Sequence, residues 1–330
     1  MTINHTINSL EPTLPAPTPD STAIFNWRHC WYPIAFVQDL PPDRLHPFSL
    51  YGESLVLFKD QQQQLACLVD QCCHRAAKLS DRFGRALLEA TVQQIFGFPQ
   101  VIPTHQGRAV ERLFTDVLIQ PGMIVPNNTH FDTTRANIEA AGGRAIDLPC
   151  VEASNLLASA VPFKGDMNVA ALEQLIAEVG AENIPVILLT VTNNSGGGQP
   201  VSIANLQAVS QLAHFYGIPL YIDACRFAEN AYFIQQCEDG YDAMSVREIV
   251  LEMFSYADGC LMSAKKDVFA NMGGFLCTRD ESLAEELRRL LILTEGFPTY
   301  GGFAGREWYS MLPGTCYQSA FHIDHTHILG

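Results

Sequence analysis

Hydrophobic and polar positions change texture along the chain. Residues 1–22 scatter single apolar residues among Pro, Thr, Ser and Asn, a composition with too little apolar surface to fold alone, and they read as a disordered tail. In residues 23–82 the apolar positions come in short runs separated by turn formers. Within that stretch, residues 54–59 (SLVLFK) and 64–70 (QLACLVD) predict two strands joined by a polar turn at 60–63. From residue 83 onward strand-like and helix-like stretches alternate. That alternation predicts an α/β domain with a largely parallel sheet flanked by helices. No internal repeat is present, and residues 312–330 form an unassigned tail.

One unit shows the logic. Residues 186–192 (VILLTVT) form a continuous apolar and β-branched run, as expected of a strand buried on both faces. Residues 193–200 (NNSGGGQP) predict a turn, because three glycines neither continue a strand nor start a helix cheaply. Ser202 is placed to cap a helix whose inner face carries Leu206, Val209, Ala213 and Tyr216, and Gly217 stops it. Residues 219–223 (PLYID) supply the next strand, and residues 258–263 (DGCLMS) a similar one. Ligands of such sheets bind at the carboxyl ends of the strands, where Asp223, Ser263, Lys265 and Lys266 lie.

Composition narrows the function classes. The chain has 330 residues, 48% of them hydrophobic, enough for one large domain or two ordinary ones. Mean hydropathy is +0.07, but no apolar run is long enough to span a membrane, and the first 20 residues lack the pattern of a signal peptide. A net charge of −15 and a pI near 5.0 describe a surface that repels phosphate backbones, so neither nucleic acid nor membrane is an expected partner. Ten cysteines without framework spacing read as reduced thiols in a cytoplasmic protein.

Several segments, in order, carry a resemblance: IPTHQGRAVE (102–111), FDTTRANIEAAGG (131–143), PFKGDMN (162–168), NNSGGGQPVSIANL (193–206), IDACRFAENAYFI (222–234), SAKKDVFANMGGF (263–275) and EGFPTYGGFAGRE (295–307). Over residues 83–311 the chain resembles the aromatic amino-acid β-eliminating lyases, the tryptophanase and tyrosine phenol-lyase family. The resemblance implies the large domain of a fold-type-I pyridoxal-phosphate enzyme. It also implies a carbon–carbon lyase reaction on an aromatic amino acid, and a homo-oligomer. Such a site needs a lysine for the cofactor aldehyde, a carboxylate for the ring nitrogen, an aromatic wall and a phosphate cradle.

By resemblance, Lys266 is the Schiff-base lysine and Asp223 holds the ring nitrogen protonated. Asn194 and Arg226 stand near the ring's phenolic oxygen, and Phe131 stacks on the ring. Gln106, Gly107 and Arg108 form a phosphate-binding turn at a helix start, with Ser263 adding a hydroxyl. Lys265 and Asn271 match positions near the cofactor and a monovalent-cation (K+) site. Each has a blander reading: a lone lysine in a charged turn is usually surface, a lone arginine usually a surface ion-pair partner, and a lone phenylalanine usually core.

The N-terminal part has a resemblance of its own. Residues 25–60 (FNWRHCWYPIAFVQDLPPDRLHPFSLYGESLVLFKD) and 69–81 (VDQCCHRAAKLSD) look like the first half of a Rieske iron–sulfur domain, an all-β segment. Cys72 and His74 match its Cys-x-His pair, but no cysteine of this chain is followed by a histidine three positions later. With two of four ligands, no [2Fe–2S] cluster is expected. The family's own N-terminal stretch is not matched by residues 1–82, and the family continues well past the EGFPTYGG segment. The sequence therefore reads as a fusion of two truncated genes, or a mis-joined gene, with an impaired lyase activity. The alternatives are an inactive cofactor-fold relic or a Rieske-type electron carrier. The histidines of HIDHTH (322–327) fit no zinc spacing and read as a terminal tail.

Overall fold

The computed structural model describes residues 33–35, 40, 45–59, 64–70, 79–154, 162–268, 270 and 272–296. Cys72, His74, Asn271, the turn at 60–63 and the HIDHTH segment lie outside the described residues.

The N-terminal part is a three-stranded antiparallel sheet of β1 (His46–Leu50), β2 (Glu53–Lys59) and β3 (Leu65–Val69), with β2 central. The two expected strands are present and pair as expected. The change of pattern placed near residue 83 falls inside one continuous helix, α1 (Leu79–Phe96). Its second half buries Leu88, Val92, Ile95 and Phe96 in the main core, where Phe96 packs on Phe227, Phe254 and Phe275 at centroid separations of 4.7–5.5 Å.

The main sheet has the order β4-β10-β9-β8-β7, formed by β4 (Gln100–Thr104), β7 (Ile187–Thr190), β8 (Leu220–Asp223), β9 (Gly259–Ser263) and β10 (Gly274–Thr278). β7, β8 and β9 are parallel, whereas β10 runs antiparallel to both β9 and β4. The sheet is thus mixed at one side. Pro103, which has no N–H to donate, sits in the edge strand β4. A second, parallel pair, β5 (Ile124–Asn127) and β6 (Arg144–Asp147), lies beside β7. Side chains bridge that seam: Asn127 Nδ2 donates to Thr190 Oγ1 (2.9 Å), and Thr190 N donates to Asn128 Oδ1 (2.9 Å).

Period-two alternation sorts the strand side chains into two cores. Ile187, Leu189, Leu220, Ile222 and Phe275 face α1, α5 (Ile203–Phe215), α6 (Phe227–Cys237) and α7 (Val246–Ser255). Leu188, Tyr221, Leu261 and Leu276 face α2 (Gly107–Leu118) and α8 (Glu281–Thr294). The result is a helix–sheet–helix sandwich with every sheet residue of β7, β8 and β10 buried, which explains the unbroken apolar runs. α3 (Asp132–Ala140) and α4 (Val169–Val179) complete the unit.

The expected β7-α5-β8 unit is present. The Ser202 hydroxyl caps α5 by accepting from Asn205 N at 3.0 Å, and Gly217 takes φ +68° just past the helix end. The strand is shorter than its apolar run. Thr192 adopts φ +48°, a conformation β-branched residues rarely take, and its hydroxyl donates to the buried Asn230 Oδ1 (3.1 Å). No helix among the described residues is long and apolar enough to cross a membrane.

Candidate active site

Three strand ends open on one cavity. β7 continues into Val191–Asn194, β8 ends on Asp223, and β9 ends on Ser263. The N-terminus of α2 closes the cavity from the side, and Phe131, the residue before α3, forms another wall. Gln106, Gly107, Arg108, Phe131, Asn194, Asp223, Arg226, Ser263, Lys265 and Lys266 all line it, although they come from five separate stretches of chain. Asn271, Cys72 and His74 lie outside the described residues, so the structure does not place them.

The α2 end is built for close approach. A Cβ on Gly107 would lie 2.4 Å from Ser263 Cβ, so only glycine lets the helix start press onto the end of β9. Gly274 serves the same junction from β10, where a Cβ would come within 2.8 Å of Gly107 N. No side chain caps α2, and Gln106 is extended, so the first N–H groups of the helix stay available to an anion. Glu295, at the end of α8, fixes the preceding turn: it accepts from His105 N (2.9 Å) and pairs with the His105 ring.

The opposite side is electrostatically unusual. Asp223 is 6% exposed, and burial pushes its carboxyl above the ordinary range, partly offset by hydrogen bonding from Cys225 and by the Lys266 ammonium. Cys225 N donates to Asp223 Oδ1 at 3.3 Å, and burial keeps the Cys225 thiol protonated. Lys266 Nζ lies 5.4 Å from the Phe131 ring centroid. The next residue, Asp267, accepts from Ala228 N (2.8 Å) and Glu229 N (3.1 Å), which staples the lysine turn to the start of α6. Burial lifts Asp267 to about 6 against those hydrogen bonds. Arg226 lines the cavity but pairs with Glu229 (2.9 Å), one turn along its own helix.

Sequence reasoning missed Glu111, Thr133, Thr190, Asn193 and Cys225, which also line the cavity. Glu111 carried a usable signal, since it falls one helical turn after Gly107 and so on the same face. The others carried none: Asn193 donates to Thr129 O (2.5 Å), 64 positions away. Among the described residues no group of three or more His, Cys, Asp or Glu side chains is arranged to hold a metal ion.

Pyridoxal phosphate fits this donor set. Gly107 lets the uncapped start of α2 reach Ser263, where its N–H groups can meet an anion, the desolvated Asp223 calls for a cationic N–H partner, and Lys266 is the amine beside an aromatic face.

Comparison with known proteins agrees with the geometry. The family model described as beta-eliminating lyase matches residues 80–316, and that of the Rieske [2Fe-2S] domain matches residues 30–92, so both include residues 80–92 of α1. A tryptophanase from Salinibacter ruber is 54% identical over 226 residues, covering 68% of this chain and 48% of that protein. A tyrosine phenol-lyase from Fusobacterium nucleatum is 49% identical over 227 residues, covering 69% and 49%. The chain thus spans about half the length of the curated relatives it matches. A serine palmitoyltransferase from Sphingomonas wittichii superposes with a TM-score of 0.50 at 14% identity, covering 72% of this chain and 51% of that one. That likeness concerns the fold alone, a mixed α/β sheet flanked by helices.

Proposed function

Since this chain belongs to the beta-eliminating lyase family, we propose that it binds pyridoxal phosphate in the cavity at the ends of β7, β8 and β9 and eliminates the β-substituent of an aromatic amino acid. One observation carries the reading: Lys266, the buried Asp223, the Phe131 face and the Gly107–Ser263 cradle converge on that single cavity. When bound, the cofactor supplies a sink for the electrons left when an amino acid loses its α-proton.

The chain's own groups then divide the work. The N–H groups at the start of α2, with Gln106, Arg108 and the Ser263 hydroxyl, bind the phosphate. Lys266 would hold the cofactor covalently and would be the base placed to move a substrate's α-proton. Asp223 would keep a proton on the ring nitrogen, and Arg226 and Asn194 would hold the ring's oxygen. Phe131 excludes water from one ring face. Lys265 borders the same site. A monovalent cation near Asn271, a homo-oligomer and a cytoplasmic location belong to the same reading and rest on the family resemblance. We divide the chain into a tail (1–22), a Rieske-like segment (23–82), the lyase large domain (83–311) and a second tail (312–330).

Borohydride reduction of the protein loaded with pyridoxal phosphate, followed by peptide mapping, tests the cofactor site; the adduct is expected on Lys266. Pyruvate release from tryptophan and from tyrosine tests the reaction. A label on Lys265 or elsewhere overturns the site assignment. A Lys266 adduct without pyruvate release leaves a cofactor-binding fold and overturns the elimination.

A further inference from the structure

Glu111 is placed as few surface-helix carboxylates are. It lies one turn after Gly107 on α2 and lines the cavity with Asp223 and Lys266. Its Oε1 accepts from the Thr133 hydroxyl (3.0 Å) and the Thr134 hydroxyl (2.8 Å), both in the first turn of α3, immediately after Phe131. Its Oε2 is buried and meets no hydrogen-bond donor among the described residues.

A carboxylate oxygen desolvated without a donor is costly, and a proton on the group removes the charge. Asp223, from the end of β8, and Lys266, from the segment after β9, act on Glu111 by charge, and α3 contributes two hydroxyls. Burial and the negative charge of Asp223 favour the protonated form, and the hydroxyls and Lys266 oppose it. Two carboxyls in one desolvated site cannot both ionise freely.

On the reading that pyridoxal phosphate occupies this cavity, we propose that Glu111 is a positioning residue with two tasks. Its Oε1 latches the start of α2 to the start of α3, which fixes the anion cradle against the Phe131 wall. Its Oε2 holds a proton beside Asp223, so that Asp223 alone carries the negative charge there.

Three variants separate the tasks. Glu111→Gln keeps an acceptor for the hydroxyls and is neutral at every pH. Glu111→Ala removes the group. The double change Thr133→Val with Thr134→Val removes the donors. Pyridoxal phosphate titrations followed by absorbance should give an affinity within about twofold of wild type for Glu111→Gln, and at least about tenfold weaker for the other two. In cofactor-free protein, the melting temperature of Glu111→Gln should gain on wild type as pH rises above the ordinary glutamate value of about 4.3, because only wild type must then give up a buried proton. Combining Glu111→Ala with the threonine changes should cost no more stability than Glu111→Ala alone. Unchanged affinity in Glu111→Ala, or additive stability losses, overturns the latch. A melting difference independent of pH overturns the held proton. Both melting experiments run without cofactor, so wild-type protein that takes up no pyridoxal phosphate refutes the reading of the cavity, while the two tasks of Glu111 are still decided.

Discussion

Replacing Gly107 with alanine tests the site at its tightest joint. The added methyl would lie 2.4 Å from Ser263 Cβ, 2.8 Å from its Oγ and 2.9 Å from its Cα. Carbon atoms in contact normally sit about 3.5–4.0 Å apart. Because the Ser263 backbone is one of the offenders, no rotamer change relieves the clash, and the start of α2 must retreat from β9 by about 1 Å. Overpacking of this kind costs about 1–3 kcal/mol. For a unit of this size, at about 2–4 °C per kcal/mol, the melting temperature should fall by about 2–12 °C. The cofactor's phosphate would feel the same displacement. Misplacing a positioned group by about 1 Å costs on the order of 100-fold in favourable cases, so affinity for pyridoxal phosphate should weaken at least about tenfold. Gly196→Ala is the control, since its methyl would meet only Thr129 Oγ1, at 4.0 Å. Thermal unfolding and an absorbance titration with pyridoxal phosphate measure both effects. Wild-type affinity in Gly107→Ala would show that the helix start does not hold the phosphate.

Further expectations concern single groups. Lys266→Ala should abolish the borohydride-reducible attachment while Lys265→Ala keeps it, as peptide mapping will show. Asp223→Ala should lower pyruvate release far more than cofactor capture, because the ring nitrogen loses the partner that holds its proton; equal losses in both measurements would contradict that role. Asp267 binds its proton more tightly folded (about 6) than unfolded (about 3.9), so its contribution to stability is complete below about pH 4 and is lost as pH rises through 6. Asp267→Asn should therefore gain on wild type across that window, by up to about 3 kcal/mol, in urea unfolding at a series of pH values. Anaerobic iron–sulfide reconstitution should give no Rieske-type paramagnetic signal, since the sequence holds Cys72 and His74 without a following Cys-x-x-His pair.

The amino-acid sequence by itself determined much of this protein. Continuous apolar runs marked β7 and β8, because strands covered on both faces need no polar side. Ser202 and Gly217 marked the ends of α5, because capping and positive φ are local demands. Asp223 and Lys266 were placed by pattern at strand ends where ligands bind, but their roles, and any part for Gly107 and Phe131, were legible only through resemblance, since their bland readings were stronger residue by residue. Tertiary structure decided the rest. The reversed direction of β10 depends on how its connection returns to the sheet, which no periodicity encodes. β7 stops early because Asn230, 38 positions along the chain from Thr192, hydrogen-bonds its hydroxyl where φ is positive, against the local preference of threonine. The His105–Glu295 pair joins residues 190 positions apart, and Glu111 becomes part of the site only when α3 brings Thr133 and Thr134 to it. Local patterning acts over a few residues, whereas the charge, burial and proton of a site residue depend on which distant segments the sheet brings beside it.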